Sequence, residues 1–372
     1  MVGAMDRSGG TNGRLTLAVI ARNEEAVLGR CLDSVREVAS EMLVVDTGST
    51  DRTRAVAEER GARVLEFPWC DDFAAARNVA LEAASGCWIL VLDADEYLAP
   101  DAGKKLGELV SAKADRAYRI LNRSVAEGGR GGLVGRMVRL FPNLADVRYE
   151  WPVHEQVEES LKRAGIPIVD SALEVLHTGY ASPEVNAKKQ ARNLRIMEAE
   201  LAKGAVLPPM LQFLRGGALL DLKETERALE AYVECLDRCV PGGALEDAVR
   251  VRLATCLSEM ERWQELLELE PKGAAVKWHP ELLLCLGKAA LKTGNVGKGL
   301  EWLHTVLAVP PAIRIPACDD VRVMIQAVEA VAEFVQTRDS AKAVALMRLA
   351  VQATESGDAP SLEAVLRIHR GA

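Results

Sequence analysis

The sequence predicts an α/β domain with a mostly parallel sheet, followed by an all-α domain. Apolar β-type runs alternate with helical periodicity through the first half of the chain. Strand patterns stop near residue 182, where helical periodicity rich in Ala and Leu begins. These observations predict a disordered leader over residues 1–13, an α/β domain over 14–185 and a helical domain over 186–372.

The first four predicted strands alternate with helices. They cover residues 15–20, 42–46, 63–67 and 88–92. Such strand–helix–strand units imply a parallel sheet with right-handed crossovers. A helix over 100–110 and strands over 117–121 and 134–141 follow, and the glycine-rich segment 128–135 predicts a loop. Arg136 and Arg139 on the last strand are predicted to form either a basic face toward a diphosphate or a solvated face.

Polar residues follow three of the predicted parallel strands. They are the loop Arg22-Asn-Glu24, the turn at Asp46, and the pair Asp93 and Asp95. Ligand sites lie beyond the carboxyl ends of such strands, so these residues predict a nucleotide pocket. An extended chain would point Asp93 and Asp95 to the same side, and paired carboxylates suit Mg²⁺ or Mn²⁺. The alternative interpretation of Asp93 and Asp95, when they are considered by themselves, is a solvated acidic turn.

Four motifs in order resemble the family 2 glycosyltransferases. They read Ala21-Arg-Asn-Glu-Glu25, Val45-Asp-Thr-Gly-Ser-Thr-Asp-Arg-Thr53, Asp72-Phe-Ala-Ala-Ala-Arg-Asn78 and Leu92-Asp-Ala-Asp-Glu96. The sequences of these motifs are similar to those of a subgroup that joins such a domain to tetratricopeptide-type helices. This subgroup includes sublancin-type peptide S-glycosyltransferases. The resemblance covers roughly residues 14–185 and implies the GT-A nucleotide-diphospho-sugar transferase fold, which is Rossmann-like. It also implies a nucleotide-sugar donor, with UDP as the expected nucleotide, and a divalent cation, Mn²⁺ or Mg²⁺.

The resemblance assigns nucleotide contacts to Ala21, Asn23, Glu24, Asp46, Arg77, Asp93 and Ala94. Asp46 would bind uracil or another base, and Arg77 would touch base or phosphate. Asp93 would hold the ribose, a metal-bound water or the metal itself. Asp95 would ligate the cation, with His177 as a further protein ligand. Alternatively, Asp46 only caps a turn and Arg77 is an exposed helical arginine.

A second polar and aromatic cluster covers residues 149–156. Trp151 and His154 are predicted to contact the sugar or the acceptor. An inverting transfer needs a general base within reach of the attacking atom, and Glu155 is the preferred candidate, with Glu96 in reserve. The alternative is that Trp151 belongs to the core and Glu155 begins a solvated helix.

The second half predicts tetratricopeptide-like helix pairs. Lys188 to Lys203 predicts a bridging helix. Two sets of small and aromatic residues then recur about two periods of roughly 34 residues apart. They are Gly216, Ala228 and Tyr232, and later Gly287, Gly294, Gly299 and Leu303. Stacked pairs create a concave surface that could bind a peptide or protein acceptor, form a homodimer, or stabilise the catalytic domain.

Composition excludes several classes of function. A net charge of −8 argues against a broad nucleic-acid surface. The first fourteen residues have no apolar signal region, and no apolar run approaches the roughly 20 residues that a membrane span needs. Eight scattered cysteines predict reduced thiols. We therefore expect a soluble, cytoplasmic protein.

Three other functions are compatible with parts of this pattern. A nucleotidyl transferase also needs carboxylates and a metal, but it favours a glycine-rich loop with a basic residue where this chain has Ala21-Arg-Asn-Glu-Glu25. A glycosyltransferase that acts on a small-molecule or lipid-linked acceptor fits the same motifs. The third is a non-catalytic tetratricopeptide scaffold with a vestigial GT-A domain. A nicotinamide or P-loop nucleotide site is unsupported, because the sequence contains neither a Gly-x-Gly-x-x-Gly motif nor a Gly-Lys-Ser/Thr motif.

Overall fold

The computed structural model describes residues 14–125, 131–178, 183–270, 279–308 and 320–336, with a few residues between 345 and 368. It divides into two compact units, the first ending at Lys203 and the second beginning at Gly204. The predicted leader lies outside the described residues. The bridging helix, which was predicted to belong to the helical domain, groups with the first unit.

The first unit contains eight described strands and six described helices. The strands are β1 (Leu15–Ala21), β2 (Glu41–Asp46), β3 (Arg63–Glu66), β4 (Trp88–Asp93), β5 (Glu96–Leu98), β6 (Ala117–Val125), β7 (Gly131–Pro142) and β8 (Ile168–His177). The helices are α1 (Leu28–Val35), α2 (Thr53–Glu59), α3 (Phe73–Ala83), α4 (Ala102–Ser111), α5 (Glu158–Arg163) and α6 (Pro183–Ala202). The glycines at 131–135 lie in β7, so the loop predicted over 128–135 is wrong for that part.

These strands form one sheet in the order β3-β2-β1-β4-β7-β6-β8-β5. Strands β1 to β4 pair in parallel, as predicted. The second half is mixed, because β7 is antiparallel to β4 and β6, β8 is parallel to β6, and β5 is antiparallel to β8. The predicted fold class, an α/β domain followed by a helical one, is confirmed, with a mixed sheet in the α/β domain.

Helices cover both faces of the parallel strands, which explains their continuous apolar sequences. On one face Leu17 and Val19 of β1 pack in a core with Leu32 of α1. On the other face Ala18 shares a core with Leu81 of α3. Helix α3 begins where the Asp72 side chain accepts a hydrogen bond from the backbone N–H of Ala75, 2.8 Å away. This N-cap fixes the start of the helix that carries Arg77.

The second unit is helical throughout its described residues. Its helices are α7 (Pro209–Asp221), α8 (Thr225–Leu236), α9 (Ala244–Glu259), α10 (Trp263–Glu268), α11 (Pro280–Lys292), α12 (Val296–Ala308) and α13 (Asp320–Gln336). Gly216 of α7 lies against the ring of Tyr232 on α8, and Gly287 of α11 lies against Leu303 on α12. The two glycines therefore occupy equivalent positions in two helix pairs, as the repeat pattern predicted.

Near the end of the chain, a few helical residues between 345 and 368 are described. Within the described ranges, no helix combines the length and the apolar character that crossing a membrane requires.

Candidate active site

The register of the parallel strands brings three polar loops together. Strand β1 lies between β2 and β4, with Ala21 opposite Asp46 and Ile20 opposite Asp93. The three strands therefore end at the same level, and the segments that follow them share one edge of the sheet. Ala21 itself is buried and its carbonyl accepts a hydrogen bond from Thr47, so it contributes backbone to this edge.

Asn23 and Asp46 organise the two loops after β1 and β2. Asn23 adopts a left-handed φ of +57°, and its Oδ1 accepts a hydrogen bond from the backbone N–H of Thr50 at 2.8 Å. Asp46 is buried and accepts hydrogen bonds from the Ser49 N–H at 3.1 Å and Arg54 Nε at 2.6 Å. Burial acts to raise the pKa of Asp46, but these hydrogen bonds lower it below its usual value. Asp46 is therefore an ionised carboxylate at the end of β2.

The chain turns sharply after Asp93. Strand β4 ends there, Ala94 and Asp95 form a turn, and Glu96 begins β5. The Asp93 N–H donates to Glu96 Oε2 at 2.9 Å, which closes the turn. The expectation that an extended chain points Asp93 and Asp95 to the same side is therefore wrong, and the two carboxylates have different partners.

Asp93 belongs to a largely buried network of carboxylates and arginines. Arg77 on α3 donates to Asp93 Oδ1 at 2.7 Å and to Glu155 Oε1 at 2.7 Å. Arg139 on β7 donates to Asp93 Oδ2 at 3.0 Å and to Glu96 Oε1 at 2.8 Å. Both arginines are buried. The network thus joins α3, β4, β5, β7 and the segment carrying Glu155.

The network fixes the charge states of its members. Burial acts to raise the pKa of Asp93, but the two arginines hold it well below its usual value. Burial raises the pKa of Glu96, which lies almost fully inside the protein. Glu96 also accepts a hydrogen bond from the Asn122 side chain. Its buried oxygens are thus engaged in closing the β4–β5 turn, a structural role that differs from the reserve base predicted from the sequence.

Asp95 and His177 lie together, as the sequence predicted. Asp95 Oδ1 is 3.4 Å from His177 Nδ1, and both side chains are partly exposed. Strand pairing places Glu96 opposite His177, and the Thr178 N–H donates to the Asp95 carbonyl at 3.1 Å. The hydrogen bond to Asp95 is the main reason that the pKa of His177 is raised.

The Asp95–His177 pair fits two positions of a metal site. Donors about 2.1 Å from an octahedral ion lie about 3 Å from each other, close to the observed separation. A carboxylate and an imidazole together suit Mn²⁺. Among the described residues, no group of three or more His, Cys, Asp or Glu side chains is arranged to hold a metal. The other positions on the cation are open to oxygens of the substrate and to water, and Asp93 is already held by arginines.

The predicted acceptor cluster forms a closed loop. Glu150 and Gln156 exchange two backbone hydrogen bonds, of 2.9 and 3.2 Å, at the base of this loop, which we call the 150–156 loop. Trp151 and His154 have left-handed φ angles of +73° and +52°. Such backbone conformations are costly in residues with side chains and cluster at functional sites. Burial lowers the pKa of His154, which favours a neutral imidazole.

The 150–156 loop is fixed to the rest of the site through Glu155 and Pro152. Glu155 Oε1 accepts from Arg77, and the Pro152 carbonyl accepts from the N–H of Phe73 at 2.8 Å. Arg77, predicted to touch base or phosphate, thus lies between Glu155 and Asp93. Its Nη1 is buried and has no hydrogen-bond partner among the described residues.

Arg139 had no predicted role distinct from that of Arg136. It was paired with Arg136 on one basic face, but side chains three residues apart on a strand point to opposite faces. Arg136 is accordingly exposed and donates to the Ser171 carbonyl at 2.9 Å, whereas Arg139 is buried. Strand parity could have separated the two arginines, but their partners are distant in sequence and could not be read from it.

Comparison with known proteins shows what the first unit is similar to. The family model described as Glycosyl transferase family 2 matches residues 16–135. A TPR repeat-containing protein of Synechococcus elongatus is 35% identical over 266 residues, which cover 69% of this chain and 64% of the relative. The glycosyltransferase SunS derived from prophage SPbeta in Bacillus subtilis is 27% identical over 225 residues, covering 58% of this chain and 51% of SunS.

The chain spans less than two thirds of the length of these two curated relatives. Among solved structures, S. aureus TarS aligns with a TM-score of 0.43 at 16% identity, covering 72% of this chain and 57% of TarS. Residues 16–135, in the first unit, are therefore similar to the family 2 glycosyltransferases.

Proposed function

We propose that this protein is a metal-dependent, inverting glycosyltransferase that moves a sugar from a UDP-sugar to a peptide or protein acceptor. The observation that carries the proposal is the arrangement around Asp93 in a family 2 domain. Asp95 lies two residues after Asp93 and contacts His177 of β8, and Glu155 is joined to Asp93 through Arg77. A metal site and a general base thus lie in the same part of the sheet edge.

Asp95 and His177 would hold the cation. The remaining coordination positions would be left to oxygens of the diphosphate and to water. When bound, the cation would neutralise the negative charge that develops on the departing diphosphate. The protein's own contribution is to orient the pair: strand β8 positions His177, and the β4–β5 turn positions Asp95. Asn23, Glu24 and Asp46 border the nucleotide in this proposal.

Glu155 acts as the general base. It takes a proton from the acceptor as the acceptor atom bonds to the sugar carbon and the bond from that carbon to the phosphate oxygen breaks. Arg77 holds Glu155 Oε1, and no described residue donates a hydrogen bond to Oε2, which can therefore meet the acceptor. Trp151 and His154, on the same closed loop, would contact the sugar or the acceptor.

The acceptor assignment rests on the helical unit and on the named relatives. One relative is named a TPR repeat-containing protein and another is the glycosyltransferase SunS. Stacked helix pairs such as α7–α8 and α11–α12 are suited to binding peptide segments or a second subunit. A cytoplasmic location belongs to the same proposal, supported by buried cysteines such as Cys31 and Cys285 that are free thiols.

Nucleotide binding tests the proposal directly. UDP should raise the thermal midpoint of unfolding in the presence of Mn²⁺ or Mg²⁺, because a ligand that binds only the native state stabilises it. Asp95→Ala should abolish the metal dependence of this shift. Asp115→Ala, which removes an exposed carboxylate paired with Arg116, is the matched control and should behave like wild type.

Two results would contradict the proposal. The absence of a thermal shift with any nucleoside diphosphate would remove the transferase function and favour a scaffold. A shift that is equally metal-dependent in Asp95→Ala would move the metal site elsewhere. Once a nucleotide binds, a screen of nucleotide-sugars for slow hydrolysis would identify the donor, and mass spectrometry of candidate peptides would identify the acceptor.

A further inference from the structure

Helix α6 is fixed to the segment that follows β3. Arg195 donates two hydrogen bonds to the carboxylate of Asp71, of 2.8 and 2.7 Å. These bonds are the main reason that the pKa of Asp71 falls to about 2. One turn earlier, the guanidinium of Arg192 lies 4.7 Å from the centre of the Phe73 ring. Buried Leu194 and Ile196 anchor the same stretch of helix.

A second basic residue, Lys189, lies on the same face of α6. Lys189 lies three residues before Arg192 and therefore on the same side of the helix. Burial and the nearby Asp95 raise the pKa of Glu24, and Lys189 acts in the opposite direction. The contacts of Arg195 with Asp71 and of Arg192 with Phe73 thus place α6 at the carboxyl end of β3, where helix α3 begins.

Arg192 is a partly buried cation without a carboxylate partner among the described residues. Its Nε and Nη2 donate to the side-chain oxygen of Asn193, at 3.3 and 3.1 Å. Burial lowers its pKa, while Glu155 and Asp71 act in the opposite direction from outside hydrogen-bond range. A desolvated charge is costly when it is unpaired, so this position favours a bound anion.

The charge balance of the edge supports the same conclusion. Five carboxylates lie in or beside the site, and two buried arginines pair with three of them. The carboxylates are Glu24, Asp93, Asp95, Glu96 and Glu155. The divalent cation proposed at Asp95 offsets part of this negative charge, and further cations facing a diphosphate would favour its binding. Helix α6 brings further basic side chains toward this edge, in addition to Arg77, Arg139 and Arg54, which is paired with Asp46.

We propose that Arg192 and Lys189 bind the phosphate groups of a nucleoside diphosphate, so that helix α6 forms the outer wall of the donor site. The inference rests on the proposed function, because it assumes a nucleotide at the edge of the sheet. The guanidinium of Arg192, oriented by the Phe73 ring, can donate two parallel hydrogen bonds to one phosphate. Lys189 contributes a mobile point charge.

The test is titration calorimetry with UDP, inorganic pyrophosphate and uridine on the full-length protein, with Mn²⁺ present. Arg192→Gln should weaken the binding of UDP and pyrophosphate about tenfold, since a charge-assisted hydrogen bond contributes roughly that factor. Lys189→Gln should weaken both by a smaller factor. Uridine, which lacks phosphate, should bind all variants alike. Lys203→Gln is the matched control, because Lys203 lies just beyond the same helix and pairs with Glu200.

The outcomes separate this inference from the proposed function. If wild type binds UDP and both variants bind it equally well, α6 is not a phosphate-binding element, while the proposed function stands. If wild type binds neither UDP nor pyrophosphate, both proposals fall. Equal losses for uridine and UDP in Arg192→Gln would overturn the phosphate assignment, and circular dichroism of each variant would show whether the loss comes from unfolding.

Discussion

At the scale of single residues, Arg77 links the two halves of the site. Its guanidinium joins Asp93 at the end of β4 to Glu155 in the 150–156 loop, with two hydrogen bonds of 2.7 Å. Removing one partner from a buried ion pair leaves an uncompensated charge that costs several kcal/mol. The position of Glu155 thus depends on an arginine that lies 78 residues earlier in the chain.

The role of Glu155 can be tested by a near-isosteric change. Glu155→Gln keeps an oxygen that can accept from Arg77 but removes the proton acceptor, so we expect transfer to fall about 100- to 10,000-fold while UDP binding is retained. Steady-state rates and calorimetry on the same preparation measure the two effects. Glu159→Gln, an exposed residue paired with Lys162, is the control and should keep both. A wild-type rate in Glu155→Gln would assign the base to another residue.

Single residues also show where sequence reasoning succeeds. The pairing of Asp95 with His177 could be predicted because a family resemblance supplied two positions that are far apart in the chain. The partners of Asp93 could not be predicted, since they lie on other elements, α3 and β7, that the fold brings to the end of β4. Arg192 was missed because its position depends on how α6 packs against Phe73.

At the scale of elements, glycines set how closely helices approach in the second unit. A Cβ added at Gly216 would lie 2.6 Å from the ring of Tyr232, closer than any real contact allows. An aromatic ring packed in a core cannot move away without disturbing its neighbours. The glycine is therefore required by the α7–α8 contact rather than by backbone conformation.

A pair of neighbouring substitutions tests this contact. Gly216→Ala should lower the free energy of unfolding by about 1–3 kcal/mol through overpacking. Gly217→Ala, where the nearest atom to the added Cβ is 3.8 Å away, should instead stabilise the helix by up to about 1 kcal/mol. Urea unfolding followed by circular dichroism measures both. Equal effects of the two substitutions would show that α7 and α8 do not pack as described.

Elements were predicted well where they are long and apolar. Strands β1 to β4 and their helices follow from apolar runs and cap residues, because both faces of the parallel strands are covered. The antiparallel half was harder, since β5 has three residues and β7 contains glycines that are typical of loops. Its pairing is decided by distant partners, which local patterns do not encode.

At the scale of the whole molecule, two compact units imply two partly independent stabilities. Each unit has its own buried core, and the first of them carries the candidate site. Proteins of this kind depart from two-state unfolding more often than single domains do.

Calorimetry can assign each transition to a unit. We expect UDP with Mn²⁺ to raise the midpoint of one transition and Gly216→Ala to lower the midpoint of the other, since the ligand and the substitution act in different units. A scan in which both perturbations move a single common transition would show that the two units unfold together. The prediction requires no knowledge of the acceptor.

The 150–156 loop has a consequence for engineering. Its two ends are tied by reciprocal backbone hydrogen bonds between Glu150 and Gln156, so its geometry at the base does not depend on the side chains between them. Loops on a rigid scaffold accept changes of sequence more readily than the elements that carry them. The partly exposed Trp151 and His154 can therefore be varied while Glu155 and the buried Val153 stay in place. Replacing these two residues by glycine, asparagine or aspartate, which tolerate left-handed backbone, offers a route to new acceptor preferences on an unchanged donor site.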